Sequence, residues 1–162
     1  MKIILVILSF LLVNFSTYAD GHTGKIHLEG FGAWSLNIMN AGNGNLSVTY
    51  DGLYSGVAMN GTKFGNNSSV QCLGGLTAVK GKFNDESGIC KFLFANGDTA
   101  FKKYKGSGAI GKSGSGTFEF IGGTGKYKSI SGSGTVTRIQ IQAAKKGFTQ
   151  SKNTFKGSFK LK

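Results

Sequence analysis

The chain has 27 glycines and no proline in 162 residues. Without proline, chain reversals fall to the residues that accept positive φ, glycine first and asparagine second. Asn43-Gly44, Asp51-Gly52, Asn60-Gly61 and Asn96-Gly97 are hairpin-type dipeptides of this kind. Between them lie short runs rich in Val, Ile, Thr, Phe and Tyr, the residues that fit a pleated, half-buried surface. Several runs alternate apolar and polar residues with period two, as in Thr117-Phe118-Glu119-Phe120 and Phe155-Lys156-Gly157-Ser158-Phe159-Lys160-Leu161.

This pattern predicts strands over Lys25–Gly30, Ala33–Met39, Leu46–Tyr50, Leu53–Met59, Ser69–Leu73, Leu76–Phe83, Gly88–Ala95, Ala100–Lys105, Gly114–Ile121, Gly132–Ile141 and Asn153–Leu161. Apart from a short turn at 142–146, nothing after the first twenty residues has a helical period. The fold class is all-β: a closed or nearly closed antiparallel β-barrel of about eight or more strands, with a sandwich as the other arrangement. Closure removes the exposed edges that make an exported β-protein prone to aggregate.

Glycine is densest between Ser113 and Thr135, where Phe118-Glu119-Phe120 leads into Gly122-Gly123-Thr124-Gly125 and the chain leaves through Lys126-Tyr127. This reads as a strand, a tight turn and a returning strand. Gly-Ser-Gly recurs at Gly106, Gly114 and Gly132, as if successive strands share one corner device.

The first residues read as an export signal. Lys2 precedes the apolar run Ile3–Val13, broken only by Ser9, and Thr17-Tyr18-Ala19 supplies small residues before Asp20. Cleavage is expected after Ala19, giving a signal peptide over 1–19 and a single domain over 20–162, secreted or periplasmic. The apolar run is shorter than the ~20 residues of a spanning helix, and no later segment is apolar enough to cross a bilayer.

Charge is unevenly placed. Residues 20–100 carry five lysines and six acids, whereas 101–162 carry twelve lysines and Arg138 against Glu119 alone. Such a field favours an anionic partner, either an envelope surface or an acidic polysaccharide, or else keeps the exterior soluble. The basic face is expected from Lys102, Lys103, Lys105, Lys126, Lys128, Lys145 and Lys146. Cys72 and Cys90 are the only cysteines. Export favours a disulfide between them, closing a loop worth about 3 kcal/mol in the chain-entropy model. Two buried thiols are the other arrangement.

From Gly88 to Leu161 the chain resembles small exported bacterial proteins with an allene-oxide-cyclase-like, calycin-type barrel. The phrases that carry the likeness are Asn96-Gly97-Asp98 before the aromatic strand with Phe101 and Tyr104, then Ser115-Gly116-Thr117, Gly122-Gly123-Thr124-Gly125-Lys126-Tyr127, Ile130-Ser131-Gly132-Ser133-Gly134-Thr135, and Lys156-Gly157-Ser158-Phe159-Lys160-Leu161. The segment from Cys72 to Cys90 also fits. The resemblance implies a barrel with an interior cavity. Related plant cyclases steer an apolar epoxide in such a cavity, but no residue-by-residue match to their catalytic set is found here. Ser129 stands where glycine is usual, and Lys102-Lys103 replace commoner acidic or neutral residues. The resemblance also includes barrels that trimerise, so an oligomer is within its scope.

Other signals carry less. Gly106-Ser-Gly-Ala-Ile-Gly111-Lys112-Ser113 matches the phosphate-loop pattern in letters, yet a glycine run and a strand follow it where a helix is required. His27 and Glu29 share one face of the first strand, but a zinc site needs three or four ligands and the others cannot be named. No metal, cofactor or catalytic residue is therefore expected. Aromatics interleaved with lysines at Phe101-Lys102-Lys103-Tyr104-Lys105 suit single-stranded nucleic acid, although such residues more often fill a small barrel.

The leading functional expectation is a non-catalytic protein that binds a small lipid-like ligand in the barrel mouth, with basic residues favouring an anionic head group. Trp34, Tyr50, Tyr104, Phe118, Phe120 and Tyr127 are the candidate cavity residues. Two alternatives stand beside it: a cyclase or isomerase working in the same cavity through Glu119 or Glu29, and a basic envelope or adhesion module with a filled barrel.

Overall fold

A computed structural model describes residues 21–162; the signal peptide expected over 1–19 lies outside the described residues. Eight strands, β1 (Thr23–Gly42), β2 (Asn45–Ala58), β3 (Ser68–Ala78), β4 (Lys82–Leu93), β5 (Thr99–Ala109), β6 (Gly114–Gly123), β7 (Ser131–Gln142) and β8 (Phe148–Lys160), follow one another around the barrel. Each pairs antiparallel with its neighbour in sequence, and β8 pairs back onto β1 to close the sheet. Among the described residues the one helical element is a single 3-10 turn at Gly125–Tyr127.

Eight strands replace the eleven segments expected because some glycines mark packing and not reversal. The Asp51-Gly52 dipeptide is mid-strand in β2, where Gly52 lies opposite Trp34. A Cβ at Gly52 would collide with the Trp34 indole, so the missing side chain makes room for that ring. Likewise Gly30 and Gly32 leave β1 unbroken and accept the ring and backbone of Tyr54. Conversely, the expected strand Leu76–Phe83 is cut by the turn between β3 and β4, where Lys80 and Gly81 adopt φ of 52° and 76°. The 142–146 segment is not a helical turn: β7 continues to Gln142 and an irregular loop follows.

The Gly122–Tyr127 segment also differs from expectation. It is no tight hairpin turn. β6 ends at Gly123, the 3-10 turn carries Tyr127 under the barrel, and β7 begins only at Ser131. Gly125 holds φ at 52° against the Asp98 carboxylate, where any side chain would clash. Tyr127 stacks on Phe94 with ring centroids 4.1 Å apart.

The two ends of the barrel therefore differ. At one end Phe64, from the β2–β3 loop, packs against Phe92, Phe94, Phe120, Tyr127 and Phe159 with centroids 5.0–6.0 Å apart and fills the interior. Edge-to-face and offset contacts of this kind add about 0.5–1.5 kcal/mol each beyond area burial. The opposite end is ringed by the β1–β2, β3–β4, β5–β6 and β7–β8 connections and is open. The result is a cup.

Candidate functional site

Strand alternation decides which side chains face the interior of the cup. Even-numbered residues of β2 point inward, giving Val48, Tyr50, Gly52 and Tyr54 in order of depth, and odd-numbered residues of β8 do the same, giving Thr149, Ser151, Asn153 and Phe155. In β4 the pairing with β5 shifts between Phe83 and Glu86. This bulge switches the inward set from odd to even positions, so both Phe83 and Glu86 are buried. It aims a carboxylate into the barrel.

The open end contains a cavity of about 250 Å³ lined by Leu36, Ile38, Leu46, Val48, Leu76 and Phe83, with Lys112 and Gln140 at its margin. Its floor is polar. Arg138 on β7 donates from Nη1 to Glu86 Oε1 at 2.6 Å and from Nη2 to Glu86 Oε2 at 2.9 Å. Tyr50 donates its hydroxyl to Glu86 Oε1 at 2.8 Å, and Tyr104 donates to the Tyr50 oxygen at 2.8 Å. Gly74 and Gly88, paired across β3 and β4, leave the slot into which the Tyr104 hydroxyl reaches. Trp34 completes the floor, its Nε1 donating to Ser151 Oγ at 2.8 Å.

Three members of this cluster have shifted proton affinities. Burial opposes the Arg138 charge, but the two Glu86 bonds and the carboxylate field outweigh that, and its pKa stands above the ordinary arginine value. Desolvation is the largest influence on both phenols. It pushes Tyr104 up to about 12 and Tyr50 higher still, so both stay protonated. Both oxygens of Glu86 are occupied by these donors, which leaves it committed to structure.

Beneath the floor is a second, smaller space of about 50 Å³, sharing Trp34, Tyr50, Glu86 and Arg138 with the cavity above. Tyr54, Lys102, Asn153 and Phe155 line it, together with the disulfide between Cys72 and Cys90, which face each other in register on β3 and β4. Lys102 is 1% exposed. Its Nζ sits 3.6 Å from the Phe155 ring centroid, 5.1 Å from Phe92 and from Phe118, and 6.0 Å from Tyr54. Among the described residues no carboxylate pairs with it. Desolvation holds its pKa well below the ordinary lysine value. Two buried polar atoms face this region without a partner, the Tyr54 hydroxyl and Arg138 Nε.

The residues expected at the site are thus dispersed. Trp34, Tyr50 and Tyr104 meet at the cavity floor, while Phe118, Phe120 and Tyr127 belong to the packed lower half. Lys102 is not part of a basic face: it shares the inward parity of Ala100 and Tyr104 on β5 and is enclosed by aromatic rings. Lys103 and Lys105 do point outward, and Lys103 pairs with Glu119 at 3.0 Å. Lys126 and Lys128 lie at the closed end and Lys145 and Lys146 at the open rim, so these lysines form no single face. Glu119 and Glu29 do not enter the cavity. Glu29 pairs with Lys152 at 2.8 Å, and the histidine beside it, His27, contacts Asn60 through Nδ1 at 2.9 Å. The phosphate-loop look-alike at 106–113 is the β5–β6 hairpin, with no helix after it.

Sequence reasoning missed Glu86, Arg138 and the burial of Lys102. The parity of Ala100-x-Lys102-x-Tyr104 carried the last, but the local density of lysines obscured it. The bulge hid Glu86, since no period-two reading carries through Phe83-Asn84-Asp85-Glu86. Neither protein-family models nor curated proteins gave a match to this chain.

Proposed function

We propose that this chain is an exported, non-catalytic carrier of a small, mainly apolar ligand that enters the open end of the barrel with an oxygen-bearing end first. The observation that carries the reading is the cup: an apolar cavity of about 250 Å³, sealed below and floored by fixed polar groups. An apolar wall with a few convergent polar groups is the usual make-up of a small-molecule site. Arg138, which lines this cavity, keeps its Nε without a partner, a donor that suits a carboxylate or carbonyl oxygen. The disulfide suits an oxidising compartment, in line with the expected signal peptide. The resemblance to allene-oxide-cyclase-like barrels belongs to this proposal and is supported by the eight-stranded closed architecture.

A cyclase or isomerase reading is less well supported, because Glu86, the carboxylate lining the cavity, already accepts bonds from Tyr50 and Arg138 at both oxygens. An adhesion module is disfavoured by the open cavity. Trp34 is the sole tryptophan and lines the cavity, so its fluorescence reports occupancy directly. Titration with octanoate should change Trp34 emission saturably, and native mass spectrometry of protein from its own host should show a bound lipid-like mass. A flat titration together with repeatedly clean apo spectra would overturn the reading.

A further inference from the structure

Among the described residues Lys102 is the one buried lysine, and the floor cluster does not use it. Its side chain lines the lower space beside Tyr54 and Asn153, and that space shares Trp34, Tyr50, Glu86 and Arg138 with the cavity above. Four aromatic rings surround it, from Tyr54 on β2, Phe92 on β4, Phe118 on β6 and Phe155 on β8. Glu86 and Arg138, which line the same space, are committed to each other. A structural lysine in so apolar a setting would be expected to hold a carboxylate, and among the described residues it holds none.

We infer that Lys102 is a covalent capture site, whose amine condenses with the carbonyl of an aliphatic aldehyde held in the cavity to form an imine. The inference rests on the carrier reading for the ligand's route and adds a chemical class to the ligand. The Nζ lone pair attacks the carbonyl carbon and the carbonyl π pair moves to oxygen. Transfer of the amine proton to that oxygen gives a neutral carbinolamine. The hydroxyl then leaves as water, with a proton taken up at oxygen and one lost from nitrogen, while the nitrogen lone pair forms the C=N bond. Amine plus aldehyde gives imine plus water, with no oxidant or reductant needed. A desolvated lysine is suited to this chemistry because burial lowers its pKa and so favours the neutral, nucleophilic amine. The Tyr54 hydroxyl, protonated because burial raises its pKa, is a free donor for the carbonyl oxygen.

The test uses the full processed chain with hexanal and cyanoborohydride at neutral pH, where exposed lysines are protonated. Intact mass and peptide mapping then locate the hexyl adduct. Lys102 should carry roughly tenfold more adduct than any exposed lysine, and Lys102→Met should lose that adduct while keeping the wild-type circular dichroism. Mapping on the wild type keeps the inference falsifiable even if the variant does not fold. Adduct confined to exposed lysines, with Lys102 unmodified, overturns it. If octanoate still changes Trp34 emission in that case, imine formation falls and the carrier reading stands. If octanoate is silent as well and protein from its own host repeatedly gives clean apo spectra, both fall.

Discussion

Replacing Lys102 with methionine keeps nearly the same volume inside the barrel and removes the amine, so its effect on stability isolates the cost of that amine. Lys102 is 1% exposed. Removing an ion from water costs several kcal/mol, against which a desolvated cation–π contact returns about 2 kcal/mol. The balance favours the neutral amine, in keeping with a pKa depressed by burial. In the unfolded chain the same lysine takes up its proton below about pH 10.4. Between that value and the lower native pKa the unfolded state holds one proton more than the native state. Stability is then greatest above the unfolded pKa and is lost as pH falls, by about 1.4 kcal/mol per pH unit, until the native amine itself becomes protonated. The methionine variant lacks this dependence. Urea denaturation of both proteins across the alkaline to neutral range should therefore show the variant gaining on the wild type by about 1.4 kcal/mol for each unit of falling pH. Above the unfolded pKa the two should differ by less than about 1.5 kcal/mol, the usual cost of a volume-conserving swap. A difference that stays flat through this range would mean that Lys102 titrates like an exposed lysine, and the reasoning would fail.

Four further outcomes are expected. Arg138→Met leaves Glu86 buried without its partner and should cost about 3–5 kcal/mol in urea denaturation, much of it recovered in the Arg138→Met, Glu86→Leu double variant. Gly52→Val should drive a side chain into the Trp34 ring, costing about 1–3 kcal/mol and shifting Trp34 emission; wild-type stability would show that the indole does not lie there. Changing Cys72 and Cys90 together to alanine should lower stability by roughly 3 kcal/mol without altering the far-ultraviolet circular dichroism. Val48→Phe should fill part of the cavity and weaken the octanoate response of Trp34 emission while the barrel stays folded, read by circular dichroism and an octanoate equilibrium-dialysis assay.

Much of the architecture was legible in local chemistry. Period-two runs and the absence of proline required strands, and Asn43-Gly44, with φ of 52° and 73°, marked the β1–β2 hairpin where it stands. The pairing of Cys72 with Cys90 followed from there being only two cysteines in a chain expected to be exported, and the two residues lie directly opposite on β3 and β4. Local chemistry could not tell a glycine that turns from a glycine that yields. Asp51-Gly52 and Asn43-Gly44 are the same kind of dipeptide, yet the first stays extended because Trp34, eighteen residues away in sequence, lies across it.

The site was mostly hidden, for a related reason. By itself the sequence determined the all-β class, the turn positions set by Asn-Gly pairs and the disulfide, all of which depend on residues close in sequence or on there being no alternative partner. Tertiary structure alone decided which end of the barrel is sealed, since Phe64 and Tyr127 come from separate loops and meet only when the sheet closes. It likewise decided that Glu86 faces Arg138 and that Lys102 is enclosed by rings from four strands. Alternation says that a side chain lies on one face or the other. Only closure makes one of those faces an interior, where a lysine loses its water and its charge becomes costly.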